Sequence, residues 1–235
     1  MEKDIWLSRV MSTNCYKFKC DSIYEYLDIR NSVCNSGSFF TTVKTKSMPE
    51  RLTYGDKNSI HWVSSMNTYI WNTTNYSYSK QNRNIRFYES DNFREISEIA
   101  SNSFDTDRFH NDPRISKSFA DKIKKEWVSS NLKGSRKSIT LVYTYPNDTK
   151  VVAFNSLLVT KEFLIIDLIA VLNEFRKRGI GAELIQASQK IAADRNLPLV
   201  VGTQVKNPAN HLYIKNSFKI KEQSFVFHDT DQIFK

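Results

Sequence analysis

Two of the chain's six glycines, Gly179 and Gly181, stand one residue apart between a strand-like run and a helix-like run. The run before them, Phe163–Val171, is apolar apart from a single charge, Asp167, as a central strand should be. The run after them places Ile180, Leu184, Ala187, Ser188 and Ile191 on one side of a helix that ends near Asn196. A buried strand that enters a helix through such a turn leaves backbone N–H groups at the positive helix end, where a phosphate is favoured. Glycine lets that phosphate approach with no Cβ in the way. Three basic residues, Arg176, Lys177 and Arg178, stand just before the pair. The spacing is Arg-x-x-Gly-x-Gly. It lacks the Lys-Ser/Thr ending of a P-loop and the third glycine of a dinucleotide fingerprint. A glycine turn with no ligand is the competing reading.

The surrounding pattern gives the fold class. Ser138–Tyr145, Val151–Val159 and Phe163–Val171 read as strands joined by the short turns Pro146-Asn147-Asp148 and Lys161-Glu162. Connections that short make them antiparallel neighbours. Upstream, Ile85–Tyr88 is a short strand. Ser90 or Asp91 then caps a helix bearing Phe93, Ile96, Ile99, Ala100 and Phe104 on one side. A second helix runs from Lys117 to Ser129, with Phe119, Ile123 and Trp127 in register. Downstream come a strand at Leu199–Thr203, a short helix opened by Pro208 and ending near Asn216, and strands at Lys219–Lys221 and Ser224–Phe227. Residues 1–80 are aromatic and polar, with strands at Phe39–Thr45, His61–Val63 and Met66–Trp71. Asn72 to Asn84 reads as a linker or exposed loop. The expectation is a mixed α+β chain with a central, largely antiparallel sheet and flanking helices. Its divisions are a smaller N-terminal region, 1–80, and a main domain, 85–235.

Charge narrows the company such a chain keeps. Its 235 residues carry a formal charge of +9. Residues 108–137 hold nine basic residues against Asp112, Asp121 and Glu126. That stretch suits an anionic ligand or is an ordinary solvated face. No nucleic-acid motif accompanies it, so nucleic acid is not an expected partner. No apolar run approaches the ~18 residues of a membrane helix. The start, Met1-Glu2-Lys3-Asp4-Ile5-Trp6, does not read as a signal peptide. Cys15, Cys20 and Cys34 are odd in number and lack zinc-like spacing, so reduced thiols, no metal and a cytoplasmic setting are expected.

Three segments together resemble the GNAT family of acetyl-CoA-dependent N-acetyltransferases. They are Ile169-Ala170-Val171, the loop Arg176–Gly181, and the tail Asn207…Leu212-Tyr213-Ile214-Lys215…Phe218. Asp107-Arg108-Phe109-His110-Asn111-Asp112-Pro113, with Ala120-Asp121, Trp127 and Gly202-Thr203-Gln204, is further similar to the dTDP-fucosamine (dTDP-4-amino-4,6-dideoxygalactose) acetyltransferase subfamily. The N-terminal region then corresponds to a degenerate partial GNAT-like domain. Asn173 stands where the family often has proline. Ser217 replaces the usual glycine before Phe218, so Asn216 or Ser217 must take the helix-ending conformation. The segment from Asn207 to Tyr213 is one residue shorter than usual, which leaves the role of Asn207 open.

The resemblance implies acyl transfer from acetyl-CoA to the amine of a nucleotide-linked amino sugar, in surface polysaccharide synthesis. It implies that Arg176, Arg178, Gly179, Ile180, Gly181 and Ala182 hold the coenzyme's diphosphate. Ile169, Ala170 and Val171 would line its pantetheine arm, with the Ile169 amide at the thioester carbonyl, and Asn207 would also contact it. Tyr213 matches the family's general acid. Asp167, two residues from Ile169 and on the same face by strict alternation, is either a general base or the partner of a basic residue. Arg108 and, more weakly, Arg114 could clamp the acceptor's diphosphate, or pair with Asp105 or Asp112. His110 reads as substrate-binding or as part of a helix–loop structure. The resemblance allows a homodimer. Another small-molecule or protein amine as acceptor, or a non-catalytic acyl-CoA-binding domain, are the alternatives.

Overall fold

A computed structural model of the chain describes residues 1–34, 37–49, 59–75, 82–104, 107–146 and 149–235. The expected turn at Asn147-Asp148 and most of the polar stretch after Asn75 lie outside these residues. Contacts gather the chain into two compact units. One comprises Met1–Asn67, Thr106–Ile123 and Gln223–Lys235; the other comprises Thr68–Asp105 and Lys124–Glu222. This interleaved grouping differs from a sequential division near residue 80.

The first unit contains β1 (Glu2–Lys3), α1 (Ile5–Met11), β2 (Asn14–Cys20), α2 (Ile23–Cys34) and β3 (Phe39–Thr45). It also holds the first part of β4 (Ile60–Trp71). Strand β2 pairs parallel to β3, with α2 as the connection, and β3 pairs antiparallel to β10 (Lys219–Thr230). Cys20, Ile23, Tyr26, Val43, Ile60 and Phe227 form its apolar core. Asp4 caps α1 by accepting from the Leu7 amide at 3.0 Å. None of the elements before Phe39 is expected from the sequence. Both helices there are held by packing rather than by a long apolar stripe. Cys15 and Cys20 are buried and unpaired, and burial pushes their thiols up to about 12 and about 11. The Cys34 side chain lies outside the description.

Two pairs of expected strands prove to be single strands. His61–Val63 and Met66–Trp71 belong to one strand, β4, because Ser64 and Asn67 are buried within it rather than marking a break. Lys219–Lys221 and Ser224–Phe227 likewise fuse into β10.

The second unit carries β5 (Ile85–Phe87), α3 (Phe93–Ser101), β6 (Ser138–Thr144), β7 (Val151–Val159) and β8 (Leu164–Val171). It continues with α5 (Ile180–Asp194), β9 (Leu199–Gln204) and α6 (Ala209–Lys215). Most of α4 (Lys117–Leu132) also falls here. Strands β5 to β8 are antiparallel neighbours, whereas β9 joins β8 in parallel after the α5 crossover. Ser90–Asn92 forms a tight turn ahead of α3, and neither Ser90 nor Asp91 caps the helix as expected. Instead the Asn92 amide group donates to Glu95 at 2.9 Å.

Alternation along the strands feeds two cores. Leu141, Tyr143 and Leu157 pack with Ile180, Leu184 and Ile185 of α5 and Tyr213 of α6. Val142 and Phe154 pack with Ile96, Ile99 and Ala100 of α3 and with Val128 and Leu132 of α4.

Strand β8 contains a switch between these cores. Ser156 of β7 faces Leu168, but the next residue, Leu157, faces Ile166, so Asp167 is an extra residue without a cross-strand partner. Before this bulge Leu164 and Ile166 pack with α5. After it Leu168 and Ala170 pack with α3 and α4, and Ile169 and Val171 face the α5 side. The bulge corrects the expectation that Asp167 shares a face with Ile169. Counting by twos fails across an inserted residue.

The C-terminus of α6 is closed by a left-handed Ser217, with φ +65°. Ser217 N–H donates to the Ile214 carbonyl at 3.1 Å and Phe218 N–H to the Tyr213 carbonyl at 3.2 Å. A left-handed residue with a Cβ is strained by ~1 kcal/mol. Ser217→Gly is therefore expected to raise unfolding stability by ~0.5–1 kcal/mol in urea denaturation. A loss of stability would contradict the assigned closing geometry.

Candidate functional site

Strands β8 and β9 pair only from Leu164–Leu199 to Ile166–Val201. They part at the Asp167 bulge, and the following stretch of β8 has no partner on that side among the described residues. Leu172 N–H donates to Val152 of β7 at 2.9 Å, so by alternation the N–H groups of Ile169 and Val171 point away from β7, toward the open side. The Val171 carbonyl points the same way and is taken by Arg176 Nε at 2.9 Å. This edge offers two amides to an extended ligand, as an added strand would use them.

The turn after β8 runs through a short 3-10 helix at Asn173–Phe175. Lys177, at φ +61°, and Gly179, at φ +86°, are left-handed, and Arg178 between them is not. Alternating signs of φ turn successive N–H groups toward one point, forming an anion-binding nest. Among the described residues, the amides of residues 177–181 have no acceptor in the chain. Residues 176–179 are exposed, and the helix that follows is 15 residues long. Its positive end therefore adds to the nest. Gly181 has a different reason to be glycine. A Cβ there would lie 3.1 Å from Leu212 of α6, so a side chain would press on Leu212 where α5 and α6 approach closely.

Arg176 and Arg178 serve different partners. Arg176 binds the Val171 carbonyl, whereas Arg178 donates to the Tyr145 hydroxyl at 2.9 Å and the Glu174 carbonyl at 3.0 Å. The Arg178 guanidinium also lies 5.2 Å from the Phe175 ring and 5.6 Å from the Tyr145 ring.

Tyr213 projects from α6 into the core and is 3% exposed. Its ring lies 5.8 Å from that of Tyr69 and 5.7 Å from that of Phe218. Burial raises its phenol above the usual tyrosine value. Its hydroxyl makes no hydrogen bond to a described residue. Asn210 fixes the helix start: its side-chain amide donates to the carbonyls of Gln204, Val205 and Asn207, and its oxygen accepts from Tyr69 Oη at 2.7 Å. Asn207 accepts from the Ala209 amide at 2.9 Å, so its side chain shapes the helix entry.

Asp167 is bound tightly through one oxygen. Its Oδ2 accepts from Trp127 Nε1 at 2.6 Å, Asn131 Nδ2 at 2.7 Å and Arg136 Nη1 at 2.6 Å. The pairing alternative considered for this carboxylate is thus the one realised. With three donors on that oxygen, one of them cationic, the carboxylate is engaged as a structural anchor. The anchor residues Trp127, Asn131 and Arg136 carry no motif; only the isolation of Asp167 in an apolar strand hints that such partners exist.

The acceptor-side candidates belong to the first unit. His110 is clamped between two carboxylates, with Nδ1 3.1 Å from Asp107 and Nε2 2.9 Å from Asp121. Its hydrogen bond to Asp107, then that to Asp121, raises its pKa against the opposing effect of burial. Arg114 grips both oxygens of Asp112 at 2.9 Å and donates to the carbonyls of Ser59, Thr230 and His228. His228, fully buried, meets the same carboxylate through Nδ1 at 2.9 Å. Burial pushes His228 down to about 4. Burial also raises the Asp112 carboxyl, but the bonds from His228 and Arg114 outweigh this and hold it below the usual range. The Arg108 guanidinium lies 4.5 Å from the Phe109 ring. Among the described residues no cluster of three or more His, Cys, Asp or Glu could hold a metal. No helix there is long and apolar enough to cross a membrane.

Residues 138–220, the span holding β8, the nest and α6, match the family described as "Acetyltransferase (GNAT) domain". Over that span, about a third of its length, the chain is similar to a GNAT acetyltransferase domain. The spore coat polysaccharide biosynthesis protein SpsD of Bacillus subtilis (strain 168) is 27% identical over 135 residues. The match covers 57% of this chain and 46% of that protein, so the chain matches about half of the curated relative's length. A conserved protein of unknown function from Staphylococcus epidermidis ATCC 12228 superposes with a TM-score of 0.66 at 16% identity, over 97% of this chain and 90% of the other. A putative GNAT-family acetyltransferase from Novosphingobium aromaticivorans DSM 12444 gives 0.58 at 11% identity, over 87% and 80%. At these identities the likeness is one of fold.

The clamp on His110 yields a pH signature. A histidine whose folded pKa is raised contributes stability fully below about pH 6.5, and loses it as pH rises through the folded value. His228 acts in the opposite window, removing stability as pH falls below about 6.5. Unfolding free energy measured by urea titration should therefore fall as the pH rises above about 6.5. His110→Gln should flatten that fall. An unchanged slope in the variant would contradict the clamp.

Proposed function

We propose that the chain is an acetyl-CoA-dependent N-acetyltransferase whose acceptor is the amine of a nucleotide-linked amino sugar, serving surface polysaccharide synthesis. The observation that carries the transferase reading is the parting of β8 from β9 beside a nest of uncommitted amides. A cosubstrate with a diphosphate, an amide-bearing arm and a terminal thioester suits the nest, the open edge and the phenol in turn. The acceptor class rests on the Asp107–Pro113 resemblance and on a relative named for polysaccharide biosynthesis.

In this reading the amides of residues 177–181 hold the diphosphate. The Val171 N–H pairs with the arm, and the Ile169 N–H faces the thioester carbonyl and stabilises the oxyanion that forms there. The neutral acceptor nitrogen attacks that carbon. The C–N bond forms, the C–S bond breaks, and Tyr213 Oη gives its proton to the departing sulfur. The nitrogen's surplus proton leaves to solvent, which also restores the phenol. Burial weakens the phenol as an acid, but it equally disfavours a thiolate in the same water-poor place. The proton transfer is thus closer to balanced than the two groups' values in water, about 10 and about 8.5, suggest.

Asp167 has a positioning role here. Replacing it with asparagine keeps a hydrogen-bond acceptor but removes the ion pair. Asp167→Asn should therefore lower stability by ~1–3 kcal/mol in chemical denaturation. Turnover should change less than the ~10²-fold expected on loss of a general base.

An acetyl-transfer screen over amino-sugar nucleotides, reading released thiol, tests the proposal directly. Tyr213→Phe should lower turnover by ~10²-fold or more while acetyl-CoA still binds in calorimetry. Full activity in that variant would remove the general acid. Acetyl-CoA binding without any response to dTDP or dTDP-sugars would move the acceptor to another class of amine.

A further inference from the structure

The loop that forms the nest is held at two points, and the second has no counterpart in the spacing Arg-x-x-Gly-x-Gly. Tyr145, just past the end of β6, and Phe175, in the 3-10 turn, place their rings 4.9 Å apart and nearly edge-on. The Arg178 guanidinium lies against both rings. Its Nη1 donates to Tyr145 Oη and its Nη2 to the Glu174 carbonyl. Two of its donor arms are thus committed to the protein, and its guanidinium carbon lies over both rings. Such an arrangement favours arginine over lysine, because an ammonium has neither plane nor fork.

The residues around this clip are those that need holding. Lys177, immediately before Arg178, is left-handed although it bears a Cβ, and Gly179, immediately after, is left-handed too. An exposed loop with an unfavourable dihedral keeps it only when its surroundings fix it. Arg176 fixes the near end through Val171; Arg178 fixes the far end through Tyr145.

We infer that Tyr145, acting through Arg178, is a positioning residue that sets the affinity of the nest for a diphosphate, and that Arg178 works as a clip on the loop rather than as a phosphate ligand. The inference rests on the acetyl-CoA reading above. With the clip in place the amides are aimed before the ligand arrives, and the cost of ordering them is not taken from binding.

The test is calorimetry with acetyl-CoA on the full chain, comparing wild type, Tyr145→Phe, Arg178→Lys and the double variant. Tyr145→Phe keeps the ring and removes only the hydroxyl that accepts from Arg178. It should weaken acetyl-CoA binding about three- to tenfold. Arg178→Lys should weaken it at least as much, and the double variant should be no worse than Arg178→Lys alone. The same loss should appear with inorganic pyrophosphate and be absent with acetyl-pantetheine, which lacks the diphosphate. Wild-type affinity in Tyr145→Phe, or losses that add in the double variant, would overturn the inference, the second because Arg178 would then act on the phosphate independently of Tyr145. Equal losses for acetyl-pantetheine would also overturn it, by pointing to general damage to the fold. If wild type itself binds no acetyl-CoA, the functional reading falls and takes this inference with it.

Discussion

One carboxylate oxygen organises the centre of the second unit. Asp167 Oδ2 gathers an indole N–H, a side-chain amide and a guanidinium from α4 and the segment after it. Those donors sit on the face where α3 and α4 cover the sheet. Drawing Asp167 to that face beside Leu168 is what makes it the extra residue of the bulge. The bulge in turn ends the pairing with β9 and exposes the Ile169 and Val171 amides. A charge in the middle of an apolar strand thus has a mechanical use. It would be costly to bury alone, and it holds the strand off its neighbour when paired.

Much of this frame is legible in the sequence. The span Val151–Val159 is apolar and bounded by turns, and it is a strand over those same residues. Gly179 takes a left-handed conformation in the turn after β8, and the absence of glycine before Phe218 calls for a left-handed residue, which Ser217 supplies. These readings succeed because each depends on local chemistry: a Cβ, a turn, a helix end.

The parts that are not legible depend on partners far away in the chain. Strict alternation cannot reveal a bulge, because the inserted residue is chosen by Trp127, Asn131 and Arg136. Ser64 and Asn67 look like a break between strands, yet Asn67 is satisfied by Gln223 at 2.9 Å, and β4 continues through both. His110 and Arg114 read as acceptor contacts, the first from the segment that resembles the subfamily and the second from its guanidinium, with a helix–loop structure and an ion pair as the alternatives. The structure engages them with Asp107, Asp121 and Asp112, all close by in the chain.

The contact of Gly181 with Leu212 reaches beyond packing. The first turn of α5 follows the glycine turn, and α6 carries Tyr213; a Cβ on Gly181 of the one would lie 3.1 Å from Leu212 of the other. The turn after β8 and the ring of Tyr213 are therefore coupled through one joint. A side chain enlarged there would press on both helices at once, so neither could be adjusted without the other.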